Sequence, residues 1–324
     1  MSPPDPPVSG ALLEVRDLGV DFGAFAAVTN VSFDLSQGET LGLVGESGSG
    51  KSTLARALLR LIPAARGNVI WQGIDLLACD AASLRRHRRD LQIVFQDPLA
   101  SLNPRLTVGA TLAEPLRIFE PTLRAPARLA RIEDMLERVG LSRGMVGRYP
   151  HEFSGGQCQR IGIARAMMLR PKLLICDEPV SSLDVSIQGQ IVNLLLDLQT
   201  EFGTAMLFIS HNLAVVRHIS HRVLVMYLGR SFELASREVL FSAPVHPYTR
   251  ALLAAVPDPT RALGRSPQPL GGELPSADAS PSGCVFRNRC AYAQPACAVR
   301  VPEFEQVGAQ HAVACHRWRE LVYS

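Results

Sequence analysis

The sequence predicts an α/β fold: a largely parallel sheet gathers polar residues at its strand ends, a helical insert interrupts it, and a short cysteine-bearing extension follows. Three observations predict it. The apolar run Thr40–Val44 leads into Gly45-Glu46-Ser47-Gly48-Ser49-Gly50-Lys51-Ser52 and then a helical pattern over 53–62, the strand, glycine loop and helix of a P-loop. Two more apolar runs, 173–176 and 206–210, deliver Asp177, Glu178 and His211 to their C-terminal ends, where α/β sheets place ligands. Between these zones, residues 99–169 carry helical periodicity with few β-branched clusters.

The loop's chemistry follows from its residues. Glycines permit sharp turns and bring backbone N–H groups close to phosphate oxygens. The helix behind them adds partial positive charge at its start. Gly45, Ser47, Gly48 and Gly50 therefore read as the cradle, with Thr53 on the first helical turn. Lys51 can reach the terminal phosphates and Ser52 can place its hydroxyl on Mg²⁺. Only Lys51 and Lys172 are lysines among 33 basic side chains. The loop thus uses a compact point charge where the rest of the chain uses the planar guanidinium fork.

Bulk properties bound the rest. The chain has 324 residues, 47% hydrophobic and 19% charged, with formal net charge +3; that describes a folded globular protein with ample core. The charge is too small to argue for nucleic acid, and the cluster Arg85-Arg86-His87-Arg88-Arg89 reads as a solvated helix face. No uninterrupted apolar window approaches a membrane span. The proline-rich start lacks the basic and apolar regions of a signal peptide. A cytoplasmic setting is expected, with any membrane link made through partners.

In chain order, residues 12–15 and 31–35 read as strands flanking a loop over 21–25. Phe22 in that loop is placed to stack on adenine, with packing at the sheet edge as the alternative. Short strands over 69–71 and 91–95 carry the chain to Gln96. Helices follow over 108–117, 129–139 and 159–168. The last is preceded by Phe153-Ser154-Gly155-Gly156-Gln157, a second glycine loop opening a helix and a second anion-binding helix start. After the acidic strand end comes the turn Ser181-Ser182-Leu183-Asp184, then a helix over 187–202. Strands over 223–226 and 231–234 close the sheet. Residues 257–281, rich in Pro, Gly, Ser and Ala, read as a linker.

Taken together, the P-loop, Gln96, Phe153 to Gln157, Asp177-Glu178, Asp184 and His211 resemble the nucleotide-binding subunit of an ATP-binding cassette (ABC) transporter, over roughly residues 12–240. The resemblance implies a P-loop NTPase cassette with a RecA-like core, a β-subdomain and a helical insert. It also implies a head-to-tail dimer with ATP at the interface, the signature segment Phe153 to Gln157 closing over the partner's nucleotide. By that resemblance Lys51 and Ser52 hold phosphate and Mg²⁺, and Asp177 supports the metal. Glu178 polarises the attacking water, and His211 is the switch near the γ-phosphate. Gln96 senses the metal and the membrane partner, and Asp184 couples the two sites. Read alone, His211 fits a core histidine as readily. The chain departs from the family pattern at Cys158, Ser182 and Asn212, and none of these removes a catalytic group.

The C-terminal part narrows the subfamily. His246-Pro247-Tyr248-Thr249-Arg250-Ala251-Leu252-Leu253 resembles a segment of the oligopeptide/dipeptide ABC importers and their nickel-importing relatives. The expected organisation is a flexible start (1–11), an ATPase domain (12–240) with its helical subdomain at about 99–169, a transporter-type segment and linker (241–283), and a four-cysteine tail (284–324). Cys284, Cys290, Cys297 and Cys315 satisfy the ligand count of a Cys₄ site. The resemblance implies a 4Fe-4S cluster there; zinc and free thiols are the alternatives. The implied partners are a second ATP-binding subunit (this chain or a paralogue), two transmembrane permeases and, indirectly, an extracytoplasmic substrate-binding protein. The implied place is the cytoplasmic face of the inner membrane, and the implied function is ATP-driven peptide import. A nickel or small-solute importer, or a soluble ABC ATPase, is the alternative.

Overall fold

Two antiparallel strands open the fold, β1 (Ala11–Phe22) and β2 (Phe25–Ser36), closed by the pair Phe22 and Phe25. The structure is a computed structural model of the chain and describes residues 10–255 and 282–322. The turn is only Gly23 and Ala24, with Gly23 at φ 61, so the expected loop over 21–25 is a tight hairpin. Both strands outrun the sequence expectation because cross-strand pairing accommodates exposed polar positions such as Arg16 and Asp21.

β3 (Thr40–Val44) follows, then α1 (Lys51–Leu58), β4 (Arg66–Trp71), β5 (Ile74–Asp75), α2 (Ala81–His87) and β6 (Leu91–Val94). The helical insert contains α3 (Val108–Phe119), α4 (Ala125–Arg138), 3₁₀ turns at Arg143–Gly147 and Pro150–Glu152, and α5 (Gly155–Met167). β7 (Leu173–Asp177), α6 (Val185–Phe202), β8 (Ala205–Ile209), α7 (Leu213–Ile219), β9 (Arg222–Tyr227), β10 (Arg230–Ser236), α8 (Arg237–Ser242) and α9 (Pro247–Ala254) return the chain to sheet and helix. The linker expected over 257–281 lies outside the described residues.

The strands form two sheets. One is antiparallel in the order β2-β1-β4-β5. In the other, β6, β7, β8, β3 and β9 run parallel. Alternate residues of each parallel strand enter different cores. Leu173, Ile175, Leu207 and Ile209 join the β1–β2 hairpin and α1, whereas Leu174, Cys176, Met206 and Phe208 join the helical insert and α6. With both faces covered, these strands have to be apolar throughout.

Past residue 282 the chain has structure that the sequence reading did not assign: a 3₁₀ turn (Arg287–Arg289), α10 (Pro295–Val299), β11 (Glu305–Gly308), β12 (His311–Val313) and α11 (Trp318–Leu321). β12 pairs antiparallel with β10, Glu233 opposite Val313, and β11 adds outside it. Buried Glu233 ties the junction, accepting from Val245 N (2.8 Å) and His246 N (3.0 Å) and meeting His311 Nε2 at 2.8 Å. The tail therefore extends the main sheet, and Val285 and Phe286 bury into the main core.

Candidate nucleotide site

Apart from Phe22, the candidate residues lie at or just beyond the end of a buried parallel strand or at the start of a helix, where the backbone turns outward from the sheet. The loop after β3 shows why its glycines are glycines. A Cβ on Gly45 would stand 2.2 Å from Met226 O, and Gly50, at φ 89, would meet Ala27 O at 2.5 Å. Side chains at these two positions would push the loop off β9 and β2.

Lys51 is buried at 4% exposure, and its ammonium donates to Gly45 O (2.9 Å), Glu46 O (2.9 Å) and Ser49 Oγ (3.1 Å). Burial pulls its pKa down, opposed by Glu178, Asp177 and Glu46. Ser52 Oγ donates to Asp177 Oδ1 at 2.7 Å. Burial pushes the Asp177 carboxyl up, and the Ser52 bond opposes that shift. Hydroxyl and carboxylate oxygens side by side are the hard donor set that suits Mg²⁺.

Glu178 collects two more of the expected residues. Its Oε2 accepts from Gln96 Nε2 at 3.2 Å and stands 3.3 Å from His211 Nδ1. Glu178 holds a left-handed backbone at φ 47. Its N–H donates to Ile209 O at 3.1 Å, and its carbonyl accepts the Ser181 hydroxyl at 3.1 Å. These bonds hold a conformation that a non-glycine residue rarely adopts, and such strain concentrates at functional sites. Gln96, expected on the metal, thus contacts Glu178.

The other expected residues occupy separate places. Ser154 caps α5 in a reciprocal box: Gln157 N donates to Ser154 Oγ and Ser154 N to Gln157 Oε1. The neighbours of this turn are Leu183 and Ile187; a Cβ on Gly156 would meet Ile187 Cγ2 at 2.9 Å. Exposed Asp184 starts α6 nearby without capping it. Ser154 and Asp184 therefore face outward. Phe22 stands at the hairpin tip, 53% exposed, with Phe25 opposite at 41%. Ser47 and Gly48 are exposed on the P-loop, while Thr53 lies half-buried in α1. Asn212 caps α7, accepting from Ala214 N and Val215 N, and Cys158 is a buried packing residue.

Sequence reasoning missed the groups that hold the loop from behind. Glu46 N donates to Tyr248 Oη at 3.0 Å, and Arg289 grips the Glu46 carboxylate through both terminal nitrogens. A charged side chain inside a phosphate loop was the available signal. Its partners, more than 200 positions away, had none.

The tail metal site expected from the family resemblance gains no support from the structure. Cys284 and Cys297 are buried in the main core, Cys290 packs against it, and Cys315 packs on the small cluster of Val245, Val313 and Leu321. The four thiols lie within electrostatic reach of one another. Burial pushes Cys284 and Cys290 up, and Cys315 to about 11. Among the described residues no group of three or more His, Cys, Asp or Glu side chains is placed to hold a metal ion. Neither a 4Fe-4S cluster nor zinc at Cys284, Cys290, Cys297 and Cys315 finds support here.

Comparison with known proteins accords with this geometry. The family model "ABC transporter" matches residues 28–181, and "Oligopeptide/dipeptide transporter, C-terminal region" matches 232–297. The oligopeptide transport ATP-binding protein OppF of Salmonella typhimurium is 54% identical over 319 residues, covering 94% of this chain and 95% of that protein. The chain belongs to the oligopeptide/dipeptide family of ABC transporter ATP-binding subunits. OppF of Haemophilus influenzae is 52% identical over 94% of this ABC subunit and 96% of its own length. Among solved structures, the ATP-binding cassette MJ0796, a dimer in a post-hydrolysis state bound to ADP and Pi, is 27% identical with TM-score 0.64. That match covers 69% of the ABC subunit described here and 98% of MJ0796.

Proposed function

We propose that this chain binds and hydrolyses ATP to power the import of peptides through a membrane ABC transporter. The observation that carries the reading is the convergence of Lys51, the Ser52–Asp177 pair and the Glu178–Gln96–His211 group at the ends of neighbouring parallel strands. In this reading Lys51 turns from the loop carbonyls to the terminal phosphates, and the loop amides and the start of α1 bind the remaining phosphate oxygens. Ser52 and Asp177 would hold Mg²⁺, which neutralises phosphate charge when bound. Glu178 orients the attacking water, Gln96 and His211 hold its carboxylate, and Phe22 stacks on adenine. Charge neutralisation and positioning are what phosphoryl transfer requires.

Exposed Ser154, Gly155 and Asp184, with half-buried Gly156 and Gln157 beside them, fit a head-to-tail dimer with a second ATP-binding subunit, this chain or a paralogue. MJ0796, which is similar to it, is itself dimeric. No helix among the described residues is long and apolar enough to cross a membrane, which suits a peripheral subunit on the cytoplasmic face, served by two permeases and an extracytoplasmic binding protein. A groove of about 580 Å³ lined by Leu61, Arg85, Phe95 and Ile118 opens next to Gln96; its apolar floor and cationic rim suit a permease helix end. The relatives named for oligopeptide transport favour peptides as cargo.

The test is transport. Vesicles holding the permeases, this subunit and its ATPase partner should accumulate labelled oligopeptide only with ATP and the binding protein. ATP turnover that never responds to peptide-loaded binding protein would overturn the transport reading.

A further inference from the structure

Glu46 is the second residue of the P-loop, and every polar group it has is held. Its N–H donates to Tyr248 Oη at 3.0 Å, and its carbonyl accepts Lys51 Nζ at 2.9 Å. Its carboxylate takes both arms of Arg289, Nη1 to Oε2 at 2.8 Å and Nη2 to Oε1 at 2.9 Å. Tyr248 lies on α9, and Arg289 ends the 3₁₀ turn Arg287–Arg289. Both holders thus come from the C-terminal region, on either side of residues 256–281.

The grip is built as a site. Tyr248 is fully buried, and the Arg289 side chain is 5% exposed. Arg289 Nη1 also donates to Tyr227 Oη at 3.2 Å, with the guanidinium carbon 5.7 Å from that ring. The Tyr227, Tyr248 and Phe286 rings pack with centroids 4.8 to 5.4 Å apart. One aromatic wall therefore sets both holders. A two-armed bond fixes the orientation of a carboxylate as well as its distance. The Glu46 N–H shares its peptide plane with Gly45 O, so its bond to Tyr248 turns that carbonyl toward Lys51 Nζ, 2.9 Å away.

We infer that Arg289 and Tyr248 are positioning residues for the P-loop, so that ATP affinity depends on the C-terminal segment being docked against Glu46. This rests on the reading of the loop as an ATP site and assigns the tail a role in it. The tail acts on binding, through the loop's shape. The chemical step stays with Glu178, which the clamp does not touch.

The experiment measures ATP binding and steady-state ATPase in the full chain. Arg289→Gln should weaken ATP binding about tenfold and leave kcat at saturating ATP within about twofold, the split expected of lost uniform binding. Glu46→Gln should do the same, and the double variant should be no worse than either single one, because both remove one interaction. Arg317→Gln, a tail arginine paired with Glu320, should leave affinity unchanged. Wild-type affinity in Arg289→Gln, or additive losses in the double variant, would overturn the clamp. Should Arg289→Gln fail to fold, Tyr248→Phe carries the test: it keeps the ring in its aromatic wall and removes only the acceptor for Glu46 N–H. Wild-type affinity there overturns the clamp as well. A wild-type chain that bound no ATP would overturn the ATP reading itself, a result distinct from these.

Discussion

The Ser52 hydroxyl donates to Asp177 Oδ1 at 2.7 Å, joining the first turn of α1 to the end of β7 across 125 positions of sequence. β3 and β7 flank β8 in the sheet, so three parallel strands have to be in register for these oxygens to meet. In the proposed function this pair would hold Mg²⁺, and burial pushes the carboxyl's pKa up, a penalty on its charged form.

Asp177→Asn should therefore raise the Mg²⁺ concentration needed for half-maximal ATPase by at least about tenfold, while metal-free nucleotide binding changes little. A titration of activity against Mg²⁺ reads this directly. An unshifted midpoint would remove Asp177 from the metal role.

Glu178→Gln should bind ATP normally and lose about a hundredfold or more in hydrolysis, because the amide keeps the side chain's shape but cannot act as a base. Closed dimers should accumulate with ATP in gel filtration. Near-normal turnover would place the water-orienting group elsewhere.

Lys51→Ala should lose about a hundredfold in ATP affinity, since the phosphates lose their nearest cation. The three acceptors of its ammonium are all loop groups, so the sheet should survive with a modest fall in Tm. Calorimetry showing unchanged affinity would refute the assignment.

His246 predicts an acid sensitivity. It caps α9, its Nδ1 accepting from Tyr248 N at 3.0 Å, and its ring lies 4.3 Å from that of Phe232. Burial pushes its pKa down to about 4, against the opposing pull of Glu233 and a bond to the Ala314 backbone. An unfolded histidine titrates near 6.5, so between about pH 6.5 and 4 the unfolded chain binds more protons. This group's stabilisation is complete above about pH 6.5 and shrinks by on the order of 3 kcal/mol as pH falls to 4. His246→Asn keeps a capping acceptor without the titration. It should be less stable near neutrality, yet its urea midpoint should fall less steeply with acid. Parallel slopes in the two proteins would contradict the assignment.

Much of the site was legible because its signals are local. The glycines and Lys51 of the P-loop, the acids at the end of β7 and the glycine turn that opens α5 each sit within a few residues of the strand or helix that positions them. Strand and helix cores were readable for the same reason, their periodicity being set by the two buried faces of the sheet. Element ends were not. β1 and β2 run on through polar residues because each supplies the other's backbone partners, and no single-strand pattern records that.

By itself, the sequence determined which chemistry the chain carries: a phosphate loop with one lysine, two acids at a strand end, and a second glycine loop opening a helix. Only the tertiary structure decided which of these groups meet. It set Gln96 and His211 on the same oxygen of Glu178, made β12 a new strand beside β10, and brought Arg289 and Tyr248 to the back of the P-loop. It also placed the four tail thiols against packed clusters, Cys284, Cys290 and Cys297 with the main core and Cys315 with Val245, Val313 and Leu321, where the thiol count and the family resemblance had suggested a metal. The reason is the range of the forces. Turn and helix preferences act over a few residues and leave their mark in order and spacing, whereas a buried ion pair or a borrowed sheet edge joins segments whose separation in sequence carries no record of their meeting.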